Sequence, residues 1–117
     1  MTELASNCLF CKIGAREVEA EIVHESDNVV AFRDINPQAP THILLIPKDH
    51  IESAAVVTGA HAKLLGEIME SATHLANAEG LNDGWRLVTN VGPDAGQSVP
   101  HLHFHLLGGR KLGWPPG

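Results

Sequence analysis

The sequence predicts an α+β domain in which one main helix packs on a face of an antiparallel meander sheet. Five segments have the apolar alternation typical of strands, and they follow one another mostly in sequence. Only one long segment has helical periodicity. A chain of 117 residues, 44% of them hydrophobic, has the size of one domain, which we expect to span residues 1–117.

The first half of the chain is expected to supply three strands. AEIVHES and NVVAFRD predict two strands joined by a turn, and THILLIPK predicts the third. The two prolines of INPQAP place a loop before that third strand. Within it, His42, Leu44 and Ile46 share one face, whereas Ile43 and Leu45 lie on the other.

The main helix is predicted between about Thr58 and Ala78, with Thr58 as N-cap and Gly80 as the stop. Its apolar residues form one stripe, consisting of Leu64, Leu65, Ile68, Met69, Ala72, Leu75 and Ala76. After a turn at NDG, WRLVTN predicts the fourth strand and HLHFHLL the fifth, with the glycine-rich loop VGPDAGQS between them. The tail GGRKLGWPPG is expected to be irregular.

Charge and hydropathy argue against several classes of partner. The formal net charge is -6 and no basic run exists, which disfavours binding to a nucleic-acid backbone. No segment approaches the roughly 20 apolar residues of a membrane span. The start MTELASNCLF lacks the basic and apolar regions of a signal peptide. We therefore expect a cytoplasmic protein with neither a nucleic-acid nor a membrane partner.

Three histidines alternate with large apolar residues in VPHLHFHLLGG. On a strand, His101, His103 and His105 would stand about 6.6 Å apart on one face, with the apolar residues turned to the core. One interpretation is a solvent-facing strand that carries histidine by chance. A second is a single metal, but a span of about 13 Å is too long for all three to bind one ion. The third is nucleophilic and acid–base chemistry, because imidazole titrates near neutral pH.

The loop before this strand favours the third interpretation. Gly92 and Gly96 leave successive backbone amides accessible to an anion, and Gln97 and Ser98 add side-chain donors. An ordinary hairpin loop is the alternative. Beside the histidine row, the loop indicates a phosphate site.

Cys8 and Cys11 form a C-x-x-C pair. In a reducing compartment such a pair favours metal or redox chemistry over a structural disulfide. The spacing suits two corners of a tetrahedral zinc site, and free buried thiols are the alternative.

Taken together, these motifs resemble the histidine-triad (HIT) superfamily of nucleotide hydrolases and transferases, and the resemblance covers nearly the whole chain. It rests on HLHFHLL together with CLFCKI, FRDINPQAPTHILLIPKDHI and GWRLVTNVGPDAGQSVPHLHFHLLGGR. LLGGR and the ending WPPG are similar to the Hint branch, whereas Pro100 is more similar to the fragile-histidine-triad branch. The resemblance implies a HIT-like fold.

The resemblance also implies catalytic roles. His103 would attack the α-phosphorus of a nucleotide, and water would then release a nucleoside monophosphate from the nucleotidyl-histidine. The backbone carbonyl of His101 would accept a hydrogen bond from the His103 ring and fix its tautomer. His105 would contact the phosphate, His42 would complete the cluster, and Ser98 would assist the leaving group.

For the nucleotide, the resemblance implies that Asn90, Gln97 and the amide of Val99 hold phosphate oxygens, while Asp34 accepts from the ribose hydroxyls. Four apolar residues would surround the base: Leu9, Phe10, Phe32 and Ile35. From the sequence alone these four could equally be core residues, and Asp34 could be a turn former.

A structural zinc ion is implied at Cys8, Cys11, His50 and His101. No magnesium requirement is expected, because no paired carboxylates or kinase-like glycine loop are present. The family is usually homodimeric through the main helix and the strand after it, with the tail, here carrying Trp114, reaching toward the partner.

The activity implied is that of a purine nucleoside phosphoramidase or related nucleotidyl hydrolase that releases AMP or a similar product. The alternative is a nucleotide-binding regulatory protein with vestigial hydrolysis. A zinc-dependent adaptor without a nucleotide role is a third, weaker possibility.

Overall fold

The computed structural model describes residues 7–117, and these form one five-stranded antiparallel sheet with a helix on each face. The helices are α1 (Leu9–Gly14) and α2 (Ala62–Ala78). The strands are β1 (Ile22–Glu25), β2 (Val29–Arg33), β3 (Thr41–Pro47), β4 (Trp85–Val88) and β5 (Phe104–Gly108). Short 3-10 turns occupy Ala54–Val56, Gly59–His61 and Pro93–Ala95. The predicted α+β class with one main helix is thus confirmed.

The strand order is β1-β2-β3-β5-β4. The first three strands form the predicted meander, but β5 rather than β4 lies next to β3. The reason is the length of α2, whose 17 residues cover about 25 Å. The chain therefore leaves β3, crosses one face of the sheet as α2 and enters β4 at the far edge. It then returns as β5 between β3 and β4, antiparallel to both.

The predicted helix is observed with a refined start. The Thr58 side chain caps a 3-10 turn in a reciprocal capping box with His61, and the α-helix itself begins at Ala62. At the other end Gly80 has a φ of 71°, and the Leu81 N–H donates to the Ala76 carbonyl. This left-handed glycine ends the helix as predicted.

Both faces of the sheet are covered, which explains why every residue of β3 is buried. On the α2 face a core forms from Val29, Ala31, Ile43, Leu45, Ile68, Ala72, Leu75, Ala76 and Leu106. On the α1 face a second core forms from Cys8, Phe10, Ile13, Val30, Phe32, Leu44 and Ile46. The predicted alternation within THILLIPK is therefore confirmed.

The segment HLHFHLL predicted a fifth strand that starts at His101. The observed strand β5 starts three residues later, at Phe104. The Leu102 N–H donates to the Ile51 carbonyl at 2.6 Å, and the His103 carbonyl accepts from the Thr89 hydroxyl at 2.7 Å. Pro47 has no N–H to offer from the facing strand. Residues 101–103 therefore leave the ladder.

The described part of the chain contains no helix that is both long and apolar enough to cross a membrane. The expectation about a signal peptide rests partly on residues 1–6, which lie outside the described range.

Candidate active site and metal cluster

Two histidines of the triad and one from β3 meet on the α1 face of the sheet. The ring centroids of His103 and His105 are 5.1 Å apart, and those of His42 and His105 are 5.2 Å apart. The register that pairs Leu44 with His105 places His42 diagonally beside the His105 side chain. The predicted cluster of these three rings is therefore present.

His101 lies on the same side of the sheet, with its ring centroid 6.0 Å from that of Phe10. It is fully buried, and its Nδ1 lies 3.3 Å from the sulfur of Cys8. The rings of His101 and His103 both pack on Phe10, although residues 101–103 themselves precede the first residue of β5. The His101 backbone carbonyl also lies 2.7 Å from Nδ1 of His103.

The hydrogen bond at His103 defines which ring nitrogen is free. Nδ1 lies 2.7 Å from the His101 carbonyl oxygen, which can only accept, so Nδ1 carries the proton in the neutral ring. The side chain is mostly buried, yet Nε2 has no partner within residues 7–117. Among the described residues, His50 Nε2 is the only side-chain nitrogen or oxygen that is both inaccessible to solvent and without a hydrogen-bond partner. Because His103 Nε2 also has no partner but is not in this state, it must be accessible to solvent. An unprotonated nitrogen therefore faces outward.

A second chain of hydrogen bonds sets the tautomers of His42 and His105. The backbone N–H of Gln38 donates to His42 Nδ1 at 3.0 Å, so the proton of neutral His42 is on Nε2. That Nε2–H lies 2.9 Å from Nδ1 of His105, which must accept. His105 therefore keeps its own proton on Nε2, as a donor beside the His103 ring.

Burial keeps these donors uncharged at neutral pH. Burial, assisted by His103 and His42, lowers the pKa of His105 to about 4. Burial also lowers the pKa of His42, although the Asp34 carboxylate acts in the opposite direction. Desolvation outweighs that charge because the His42 side chain is only 5% exposed.

Asp34 forms the turn that the sequence left open as one of its two roles, and the ribose contact stays a prediction. One carboxylate oxygen accepts the Asn36 N–H at 2.8 Å and so forms a turn, while the other lies 3.4 Å from His42 Nε2. The turn holds the carboxylate at the edge of the histidine cluster.

The four apolar residues predicted around a base divide into two pairs. Phe10 and Phe32 are 5% and 4% exposed and belong to the α1-side core. Leu9 is 46% exposed and Ile35 fully exposed, so only these two present apolar surface to a ligand.

The glycine-rich loop is held together by Gln97. Its side-chain oxygen accepts the Gly92 N–H, and its nitrogen donates to the carbonyls of Glu52 and Val99 at 2.9 and 3.0 Å. All of its donors are thus used within the protein. The predicted role of this side chain in holding phosphate does not fit that arrangement.

The remaining predicted phosphate contacts lie on or next to this loop. Ser98 is exposed and lines one cavity together with Leu9, His50 and Val99. Asn90 is half-buried and follows Thr89, whose hydroxyl donates to the His103 carbonyl.

The second cluster brings together Cys8, Cys11, His50 and His101, whose ligand atoms all lie within 4.8 Å of one another. The sulfur of Cys11 lies 3.3 Å from His50 Nδ1 and 3.5 Å from His101 Nδ1. In a tetrahedral zinc site a sulfur and a nitrogen ligand are about 3.6 Å apart, given bonds near 2.3 and 2.05 Å. The spacing therefore fits zinc.

The chemistry of the donors fits as well. His101 Nε2 donates to the Pro47 carbonyl at 2.9 Å, which leaves the lone pair of Nδ1 for a metal. Burial and the neighbouring Cys8 raise the pKa of Cys11 to about 11, so a cation is needed before both sulfurs carry charge. His50 Nε2 has no acceptor within the described residues, so this ligand lacks the usual second hydrogen bond.

The sequence did not predict two groups that form hydrogen bonds to the histidines of the cluster. The Gln38 N–H sets the His42 tautomer, but a backbone donor leaves no trace in residue identity. Thr89 bonds the His103 carbonyl from the end of β4. The polar ending of WRLVTN was the only signal for it.

Comparison with known proteins gives a consistent result. The HIT domain family model matches residues 15–112. An uncharacterised HIT-like protein of Synechococcus elongatus is 50% identical over 114 residues, covering 97% of this chain and all of that protein. The 14 kDa zinc-binding protein of Zea mays is also 50% identical over 114 residues, covering 96% and 89%.

Solved structures agree with the fold. A HIT family hydrolase from Legionella pneumophila superposes with a TM-score of 0.93 at 54% identity, covering 95% of this chain and 100% of that chain. A HIT family hydrolase from Clostridium thermocellum gives 0.88 at 46% identity, covering 92% and 94%.

Proposed function

This chain belongs to the HIT domain family, and on that premise we propose that it is a purine nucleoside phosphoramidase or closely related nucleotidyl hydrolase. The observation that carries the proposal is the 2.7 Å hydrogen bond from His103 Nδ1 to the His101 carbonyl, which leaves Nε2 unprotonated and facing outward. Hydrolase is also the name given to the Legionella and Clostridium relatives.

In the first step His103 Nε2 forms a bond to the α-phosphorus while the bond from phosphorus to the leaving amine breaks. The departing nitrogen takes up a proton that comes from solvent and is delivered through the exposed Ser98 hydroxyl. As positive charge develops on the imidazole, the hydrogen bond from Nδ1 to the His101 carbonyl strengthens and stabilises the intermediate. Water then attacks phosphorus, the bond to Nε2 breaks, and a nucleoside monophosphate such as AMP leaves.

His105 donates its Nε2–H to a phosphate oxygen. The chain from the Gln38 N–H through His42 supports this role, because it keeps the proton on the nitrogen that faces the substrate. His42 thus acts through His105 rather than on the substrate.

The nucleoside is held at the outer edge of the same site. Asp34 accepts from the ribose hydroxyls, and Leu9 and Ile35 cover the base. The Val99 amide and Asn90 bind phosphate oxygens. Gln97 keeps the loop in shape instead of contacting the phosphate.

Cys8, Cys11, His50 and His101 would hold a structural zinc ion. Bound there, zinc supplies a cross-link between α1 and the segment that precedes the nucleophile, and no open position for chemistry. We propose no role for magnesium.

The functional unit is a homodimer formed through α2 and β4. Met69 and Trp85 are 52% and 37% exposed, and β4 is an edge strand whose outer backbone groups have no neighbouring strand within residues 7–117. Trp114, 85% exposed on the tail, reaches toward the partner. Light scattering that gives the mass of one chain overturns this part of the proposal.

The activity is tested by replacing His103 with Ala and measuring AMP release from an adenosine phosphoramidate. Loss of release in His103→Ala supports the proposal, and release near the wild-type rate contradicts it. His74→Ala, which removes an exposed histidine of α2, is the control and keeps full activity. If calorimetry detects AMP binding by a wild type that never turns over, a regulatory nucleotide-binding role replaces the enzymatic one.

A further inference from the structure

The hydroxyl of Thr89 donates to the backbone carbonyl of His103, and the two oxygens are 2.7 Å apart. This is the usual length of a hydrogen bond from a hydroxyl to an oxygen. Thr89 is half-buried and is the first residue after β4, whereas His103 is the last residue before β5. The bond therefore connects the two chain segments just beyond the last ladder pair, Val88 with His105.

The carbonyl of His103 depends on this side chain. No backbone N–H of residues 7–117 donates to it, and His103 is 5% exposed, so water has little access to the residue. A buried carbonyl that loses its donor costs free energy, and the backbone moves where it can to find another partner. Loss of the Thr89 hydroxyl would therefore shift the peptide group of His103.

Three hydrogen bonds hold the segment around His103. The Leu102 N–H donates to the Ile51 carbonyl at 2.6 Å. The His101 carbonyl accepts from the His103 ring, and the His103 carbonyl accepts from Thr89. Of the three, only the Thr89 bond is supplied by a side chain outside the segment. A single substitution can therefore remove it while all three histidines of the triad stay in place.

We propose that Thr89 is a positioning residue that holds the peptide group of His103 and thereby keeps Nε2 directed at the phosphorus of the substrate. The inference rests on the proposed function for the role of His103 as nucleophile. Thr89 acts through the backbone and does not contact the substrate. Because Nε2 lies at the far end of the His103 side chain, a small rotation of the backbone is magnified there. A misplacement of about 1 Å can cost about 100-fold in rate.

The test uses three variants. Thr89→Val removes the hydroxyl but keeps a β-branched side chain, and Thr89→Ser keeps the hydroxyl. Thr73→Val is the matched control, because the exposed Thr73 hydroxyl also donates to a backbone carbonyl, that of Met69 in α2. In Thr89→Val we expect kcat to fall about fivefold or more with KM within about twofold. In Thr89→Ser and Thr73→Val we expect kcat within about twofold of wild type.

Three results would overturn the proposal. They are a wild-type kcat in Thr89→Val, an equal loss of kcat in Thr89→Ser, and a raised KM at unchanged kcat in Thr89→Val. The last result would show that the change acts on binding, through the neighbouring Asn90, rather than on the direction of the nucleophile. Should Thr89→Val not fold, Thr89→Ala takes its place under the same expectations.

Hydrogen exchange measures the same anchoring without turnover. The Leu102 N–H precedes His103 and is held by the Ile51 carbonyl, so its exchange rate reports how often this segment opens. We expect exchange about fivefold faster or more in Thr89→Val, and wild-type exchange in Thr89→Ser and Thr73→Val. Unchanged exchange in Thr89→Val contradicts the proposal. If the wild type shows no turnover the proposed function fails, whereas this measurement still tests the anchoring of His103.

Discussion

Nε2 of His42 lies 2.9 Å from Nδ1 of His105, and a group outside the pair determines which of the two donates. The Gln38 N–H occupies His42 Nδ1, so His42 must donate and His105 must accept. The proton of His105 is thereby placed on Nε2, the nitrogen that we propose donates to a phosphate oxygen. A backbone amide four residues before His42 therefore decides the chemistry of a side chain on another strand.

Replacing His42 with Phe removes the donor and frees His105 to exchange tautomers. We expect kcat for nucleotide hydrolysis to fall about 10- to 100-fold, the usual effect of removing a partner that orients a functional histidine. Steady-state kinetics measure it, with His74→Phe as the control. A His42→Phe protein with wild-type kcat would show that the hydrogen bonds from Gln38 through His42 to His105 do not contribute to catalysis.

Acid should destabilise the protein partly through His105. Its pKa is about 4 when folded, against about 6.5 in an unfolded chain. Between these values the unfolded state binds a proton that the folded state excludes, so stability falls as pH drops from about 6.5 toward 4. Urea midpoints at a series of pH values should therefore change less steeply in His105→Gln than in wild type. Because both proteins keep the cysteine–histidine cluster, identical slopes would contradict this assignment.

Replacing Cys11, a proposed ligand of the zinc ion, should lower stability. Zinc that binds only the folded state at 100 times its Kd adds about 2.7 kcal/mol to the free energy of unfolding. We expect wild type to contain one zinc per chain, and Cys11→Ser to contain far less and to melt at a lower temperature. Elemental analysis and thermal melting measure the two effects, and Lys12→Ser is the neighbouring control. Equal melting temperatures with and without a chelator would exclude a structural metal.

Gly109 of the LLGGR motif should resist substitution. Its φ is 90°, and a Cβ there would lie 2.8 Å from the ring of Pro40. We expect Gly109→Ala to cost about 1–3 kcal/mol of unfolding free energy. At Gly113 an added Cβ meets nothing within 4 Å, so Gly113→Ala should be nearly neutral in the same denaturation experiment. Equal effects at the two positions would contradict this explanation.

Local sequence patterns predicted most of the helices and strands. The features that they missed depend on residues that are far apart in the sequence. The alternation in THILLIPK and the capping of the main helix were visible because each depends on neighbours in sequence. The exchange of β4 and β5 was not, because it depends on how far α2 carries the chain. The departure of residues 101–103 from the strand depends on Ile51 and Thr89, which no periodicity reveals.

The same limit applies to the site. The members of the histidine cluster and of the cysteine–histidine cluster followed from the resemblance to the HIT superfamily. Burial then divided residues that the motifs had grouped together, so that Leu9 and Ile35 are exposed while Phe10 and Phe32 lie in the core. Gln97 likewise has the right residue type for phosphate binding, but its donors are used by two backbone carbonyls.

The central claim is that His103 Nε2 bonds to the phosphorus of a nucleotide. Rapid acid-free quenching of the wild type with an adenosine phosphoramidate, followed by peptide mass spectrometry, tests it most directly. We expect an adenylyl group on His103 that appears during turnover and is absent in His103→Ala. An adenylyl group on another residue, or steady turnover with no labelled histidine at any time, would contradict it.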